Sequence, residues 1–107
     1  MVIWSQNTSP LLTTTGVVGE TFTFMRRREQ HDATVRVLHA IQASPSITVV
    51  SIEPEIETAA WQWLKRHDER AYSFVDATSF EVMRRRRIKD ALAFDGNFSS
   101  AGYVEVR

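Results

Sequence analysis

At 107 residues, 43% of them apolar and 24% charged, the chain has the composition of one soluble globular domain, residues 1–107, able to bury roughly two-thirds of its unfolded surface. Thirteen basic residues balance thirteen acidic ones and cysteine is absent, which excludes a broad basic face for nucleic acid, disulfides and thiolate metal sites. No apolar run approaches the ~20 residues of a spanning helix, and "MVIWSQNTSP" has no basic segment leading into an apolar one, so a cytoplasmic protein is expected.

In chain order, Leu11 and Leu12 form a short apolar stretch, and Thr13 to Thr15 then supply N-cap side chains. Val17, Val18, Phe22, Phe24 and Met25 make a broad stripe that predicts a helix from about Gly16 to Arg28. At about 100° per residue Glu20 falls at the edge of that stripe, between Val17 and Phe24, within reach of a cleft. Asp32 is expected to cap a second helix through Thr34, Val37, Leu38 and Ile41, which Pro45 stops. The β-branched "SITVVSI" reads as a buried strand.

Glu53-Pro54-Glu55 opens a helix in which Ile56, Ala59, Ala60, Trp63 and Leu64 share one face. A further helix is expected from about Val75 to Arg86. "IKDALAFD" then has strand character up to the turn signal Asp95-Gly96, and "GYVEVR" reads as a closing strand. Strands alternating with helices indicate an α/β domain with a largely parallel sheet, whose ligands bind beyond the carboxyl ends of the strands. Asp95 ends a predicted strand and Asp76 begins a predicted helix, so both fall where such a sheet places its site. Each has a structural alternative: an N-cap worth about 1 kcal/mol for Asp76, and the first position of an Asp-Gly turn for Asp95.

Three carboxylates, Glu20, Asp76 and Asp95, thus sit at the edges of apolar elements. Gathered together they would repel one another without a cation, and hard oxygen ligands of this kind suit Mg²⁺ or Mn²⁺. Two arginine runs, Arg26 to Arg28 and Arg84 to Arg87, either serve helix C-termini or neutralise phosphates. His31, His39 and His67 lack zinc spacing, and no G-x-S-x-G phrase marks a serine nucleophile. Trp63 lies on the core stripe of its helix and Trp61 off it, facing either solvent or an interface.

From about Leu11 to Tyr103 the chain resembles the PIN-domain ribonucleases, and among them the VapC-type toxins of toxin-antitoxin pairs. "LLTTTGVVGETFTFMRRR" is similar to the family segment in which a strand leads into a helix bearing an acid, here Glu20. "FVDATSF" and "ALAFDGNF" are similar to the family's C-terminal signature, whose two aspartates match Asp76 and Asp95. The resemblance implies a PIN-like three-layer α/β/α fold with a mainly parallel sheet, and a Mg²⁺- or Mn²⁺-dependent endoribonuclease with Glu20, Asp76 and Asp95 as metal ligands. It also implies RNA as substrate and a cognate antitoxin as partner. Ser79, one turn after Asp76, and Asp68 are expected in support of the acids, and Arg84, Arg85 and Arg86 are expected to contact RNA.

One departure stands out. Family members begin with an apolar strand carrying a further aspartate and then two helices, whereas "MVIWSQNTSP" contains no acid. An N-terminally truncated fold is therefore expected, with an open sheet centre that favours a homo-oligomer. The rival reading is a non-catalytic remnant that serves as an oligomerisation or antitoxin-binding module.

Overall fold

The computed structural model describes residues 2–4, 11–92 and 96–106. Among them are five strands, β1 (Val2–Trp4), β2 (Leu11–Thr14), β3 (Ile47–Val50), β4 (Asp90–Leu92) and β5 (Val104–Val106). The helices are α1 (Thr15–Arg28), α2 (His31–Ala43), α3 (Pro54–Arg66), α4 (Phe74–Arg86) and α5 (Asn97–Ser100).

The strands form one sheet in the order β3-β2-β1-β4-β5. β2 pairs with β3 and β4 with β5 in parallel, each pair joined through helices, as a parallel connection requires. β1 runs antiparallel to both its neighbours, setting Ile3 opposite Leu12 on one side and Ala91 on the other. The four other strands therefore share one direction, which is the mainly parallel α/β sheet expected. The open sheet centre was not borne out: Val2–Trp4 occupies it and satisfies backbone groups of β2 and β4.

Local chemistry explains most boundaries. Thr14 ends β2 and caps α1, its Oγ1 accepting from the Val17 amide at 3.2 Å. Pro54 occupies the first turn of α3, where its missing N–H costs nothing. Two expectations are corrected. Gln30, not Asp32, holds the cap position of α2, and Asp32 lies in the first turn, where its charge favours the helix dipole. β3 is not buried, because at the end of the strand order it has β2 alone as a neighbour, and Thr48 is exposed.

The core joins Leu12 and Ala91 of the sheet to Ile56, Phe80, Val82, Met83, Ile88 and Phe98. Around Phe80 lies an aromatic cluster: Trp63, Tyr72 and Phe98 meet its ring edge-on at 4.7–5.7 Å, and Tyr103 stacks at 5.6 Å. Such ring pairs add about 0.5–1.5 kcal/mol each beyond burial. This cluster locks α3, α5 and the residue before β5 around α4, and Asp76 to Met83 of α4 are all buried.

Candidate active site

The site is organised by the first turn of α4. Ser73, not Asp76, is the N-cap, its Oγ accepting from the Asp76 amide at 2.9 Å. Asp76 Oδ2 returns the bond by accepting from the Ser73 amide at 3.0 Å, completing a capping box. The cap reading from sequence was thus displaced by three residues, and Asp76 carries both jobs: it stabilises the helix start and presents a carboxylate.

A second donor reaches the same oxygen. Asn97, the first residue of α5, donates from Nδ2 to Asp76 Oδ2 at 3.1 Å, while its Oδ1 accepts from Arg70 Nε at 2.7 Å. Gly96 makes this turn possible. Its φ of +81° is unfavourable for other residues, and a Cβ there would sit 3.4 Å from the Arg70 guanidinium. Both hydrogen bonds to Asp76 converge on Oδ2, and Oδ1 accepts none among the described residues.

α1 supplies the second acid. Its start lies close against α4, since a Cβ on Gly16 would come within 3.3 Å of Val75. Glu20, one turn further along α1, has its pKa raised by partial burial and next by the negative charge of Asp76. Two carboxylates close enough to interact, one with an uncommitted oxygen, form a donor set that fits a hard divalent cation. Glu20 and Asp76 Oδ1 are the groups that would hold it. Among the described residues no three acidic, histidine or cysteine side chains converge as a metal cluster, and Asp95 lies outside the described residues.

The other candidates are placed as follows. Ser79 is fully buried one turn beyond Asp76, and its Oγ has no hydrogen-bond partner, which sets it apart among the described residues. Asp68 is exposed between α3 and α4, with no hydrogen bond or ion pair to the acids among the described residues. Arg84, Arg85 and Arg86 form the last turn of α4, about 12–15 Å along the helix axis from Asp76. Glu81 binds two of them: Arg84 donates from Nε and Nη2, and Arg85 from Nε at 2.7 Å. Sequence reasoning missed Asn97 and Arg70. The available signal was the phrase "DGN", in which a glycine at a left-handed position precedes Asn97, whose side chain reaches the first turn of α4.

Comparison with known proteins agrees with this architecture. The PIN domain family model matches residues 3–102. The 23S rRNA-specific endonuclease VapC20, in each of two strains of Mycobacterium tuberculosis, is 50% identical over 105 residues, which is 98% of this chain and 79% of the relative. The crystal structure of M. tuberculosis VapC20, described as a sarcin-ricin loop cleaving toxin, superposes with a TM-score of 0.85 at 53% identity, covering 90% of this chain and 73% of that one. The chain belongs to the PIN-domain family, within its VapC toxin branch.

Proposed function

We propose that this protein is a divalent-metal-dependent endoribonuclease that hydrolyses a phosphodiester bond in structured ribosomal RNA, with Glu20, Asp76 and Asp95 as the metal-binding acids. The observation that carries the reading is the asymmetric holding of Asp76. Ser73 and Asn97 fix its Oδ2, which leaves Oδ1 uncommitted on a carboxylate whose charge acts on Glu20. A carboxylate restrained in this way pays little ordering entropy when it meets a cation. Fifty per cent identity to a 23S rRNA endonuclease supports ribosomal RNA, and the sarcin-ricin loop within it, as the substrate.

A bound Mg²⁺ or Mn²⁺ would supply an activated water and offset charge on the attacked phosphate. This chain's residues do the rest. Asn97, held by Arg70, keeps the Asp76 rotamer, and the unpaired Ser79 hydroxyl lies one turn away to receive or orient a polar neighbour. Arg84 to Arg86 would meet RNA only at a flank distant from the cleaved bond, with Arg84 and Arg85 already neutralised in part by Glu81. A cognate antitoxin, self-association and a cytoplasmic setting belong to the same reading of a VapC-type toxin.

The test is cleavage of a stem-loop RNA bearing the sarcin-ricin sequence by purified protein with Mg²⁺ or Mn²⁺. Wild type should give defined fragments, chelation should stop the reaction, and Asp76→Asn should abolish it while the fold is retained. A folded wild type that is inert in both metals overturns the nuclease reading and restores the non-catalytic one.

A further inference from the structure

We infer that the exposed face of α1 beyond Glu20 is a nucleotide subsite, in which the Phe24 ring stacks on an unpaired base next to the scissile bond and Arg27 and Arg28 take the adjoining phosphates. This rests on the nuclease reading above and extends it to how the RNA is seated. Glu20, Thr23, Phe24 and Arg27 recur at i, i+3, i+4 and i+7, so they line one face of the helix. The same four residues, with Gly19 and Thr21, line an open groove of about 770 Å³, a volume within the range that accommodates a nucleotide-sized ligand. Phe24 stands about 6 Å along the axis from Glu20, and Arg27 about 10 Å, so a strand whose phosphate lies at Glu20 passes both as it leaves.

Phe24 is out of place as a core residue. It is 56% exposed, and the Arg28 guanidinium lies 3.9 Å from its ring centroid. A cation packed on one face of an exposed ring leaves the other face to the groove, and gives a stacked base a positive charge behind the ring. Stacking on an aromatic side chain suits any base, because every base has a π-face, and the basic end of α1 supplies the charge complementarity that a polyanion needs. Arg27 has no acidic partner among the described residues, and Arg26 donates to the Glu29 carbonyl at the helix end. Glu20 closes one end of the groove at the acid site and the arginines close the other.

The experiment measures binding and cleavage of the same stem-loop RNA separately. Binding is followed by fluorescence anisotropy in chelator, so it is read whether or not the protein cuts. Phe24→Ala should weaken binding about 5- to 150-fold, the range for loss of one base stack. In cleavage it should raise KM by a similar factor with kcat little changed, at an unaltered thermal midpoint. Phe24→Trp should restore affinity, and its added indole emission, taken as the difference from wild type, should be quenched by RNA. Affinity in Phe24→Ala equal to wild type overturns the subsite. Failure of wild type to cleave, with Phe24-dependent binding intact, overturns the nuclease reading instead.

Discussion

The Asn97 side-chain amide donates to Asp76 Oδ2 across 3.1 Å, so the short helix after Gly96 clamps the carboxylate that opens α4. The clamp joins segments 21 residues apart and is itself held by Arg70. Outer partners of ligating carboxylates are worth about 10–100-fold in metal affinity or activity. Asn97→Ala should therefore weaken Mn²⁺ binding by about that factor, as read by calorimetric titration, with stability little changed because Asn97 is only half-buried. Unaltered Mn²⁺ affinity would show that the capping box with Ser73 is sufficient to fix Asp76.

Glu20 makes the opposite compromise. Partial burial and the charge of Asp76 raise its pKa, so without a cation its ionised form weakens the folded state at every pH above its raised value, and its protonated form is favoured below. Glu20→Gln removes that repulsion. In chelator the variant should melt no lower than wild type at pH 7, while metal binding and cleavage are lost. A clear fall in its melting temperature would mean that Glu20 has a structural role beyond the site.

The reach of the sequence differed between the two halves of this site. α1 was legible as a helix because apolar residues recur along it, although Phe24 of that stripe is exposed and shares a groove with Glu20. α4 was harder to place by periodicity, because Asp76 to Met83 are buried on all sides and a helix covered all round has no contrasting face. Its start was expected near Val75 with Asp76 as the candidate cap, whereas Ser73 holds that position. The clamp by Asn97 escaped because it depends on a left-handed Gly96 and a contact between distant segments, neither of which has a period. The central, antiparallel place of β1 was equally hidden: three residues carry too short a pattern to specify a direction, which is set by the neighbours they pair with.

Glu81 is a carboxylate expected to contribute to the acid limb of stability. Its side chain is 9% exposed, between Arg84 and Arg85, and the hydrogen bond from Arg84 leads the effects that hold its pKa below the ordinary value of 4.5. A depressed pKa contributes stability that is present above the unfolded value and is lost as pH falls through the folded one. Between about pH 5 and pH 3, wild-type stability should therefore fall more steeply than that of Glu81→Gln. At pH 7 the substitution should cost about 1 kcal/mol, below the usual range for a charged hydrogen bond because both arginines are well exposed and screened by solvent. Parallel slopes in urea titrations across this range would remove Glu81 from the account.

Arg86 differs from the two arginines before it in having no ion pair with Glu81, and with Arg85 it borders a small hollow beside Val50, Ser51, Glu53 and Val82. If the end of α4 touches a flank of the RNA, Arg86→Ala should reduce the slope of log affinity against log salt by about 1, uniformly across sequences. kcat should stay unchanged, since the residue lies about 15 Å along the helix from Asp76. An unchanged salt slope would confine the RNA contact to the Glu20 end of the molecule.

The end of α4 also carries a correctable strain. Arg87 adopts φ of 58° and ψ of 40°, the left-handed conformation, and among the described residues it is the one non-glycine with positive φ. It does so because the chain must reverse there: the Ile88 amide bonds back to the Met83 carbonyl at 2.9 Å, and Ile88 enters the core. Glycine favours this position because it has no Cβ to meet the following carbonyl, and the penalty for other residues is about 1 kcal/mol. Arg87 is exposed and makes no ion pair among the described residues, so little is lost with its side chain. Arg87→Gly should raise stability by about 1 kcal/mol, offset in part by the greater freedom of glycine in the unfolded chain, and lift the melting temperature by a few degrees. A lower melting temperature would mean that the Arg87 side chain stabilises the end of α4 by more than its backbone conformation costs.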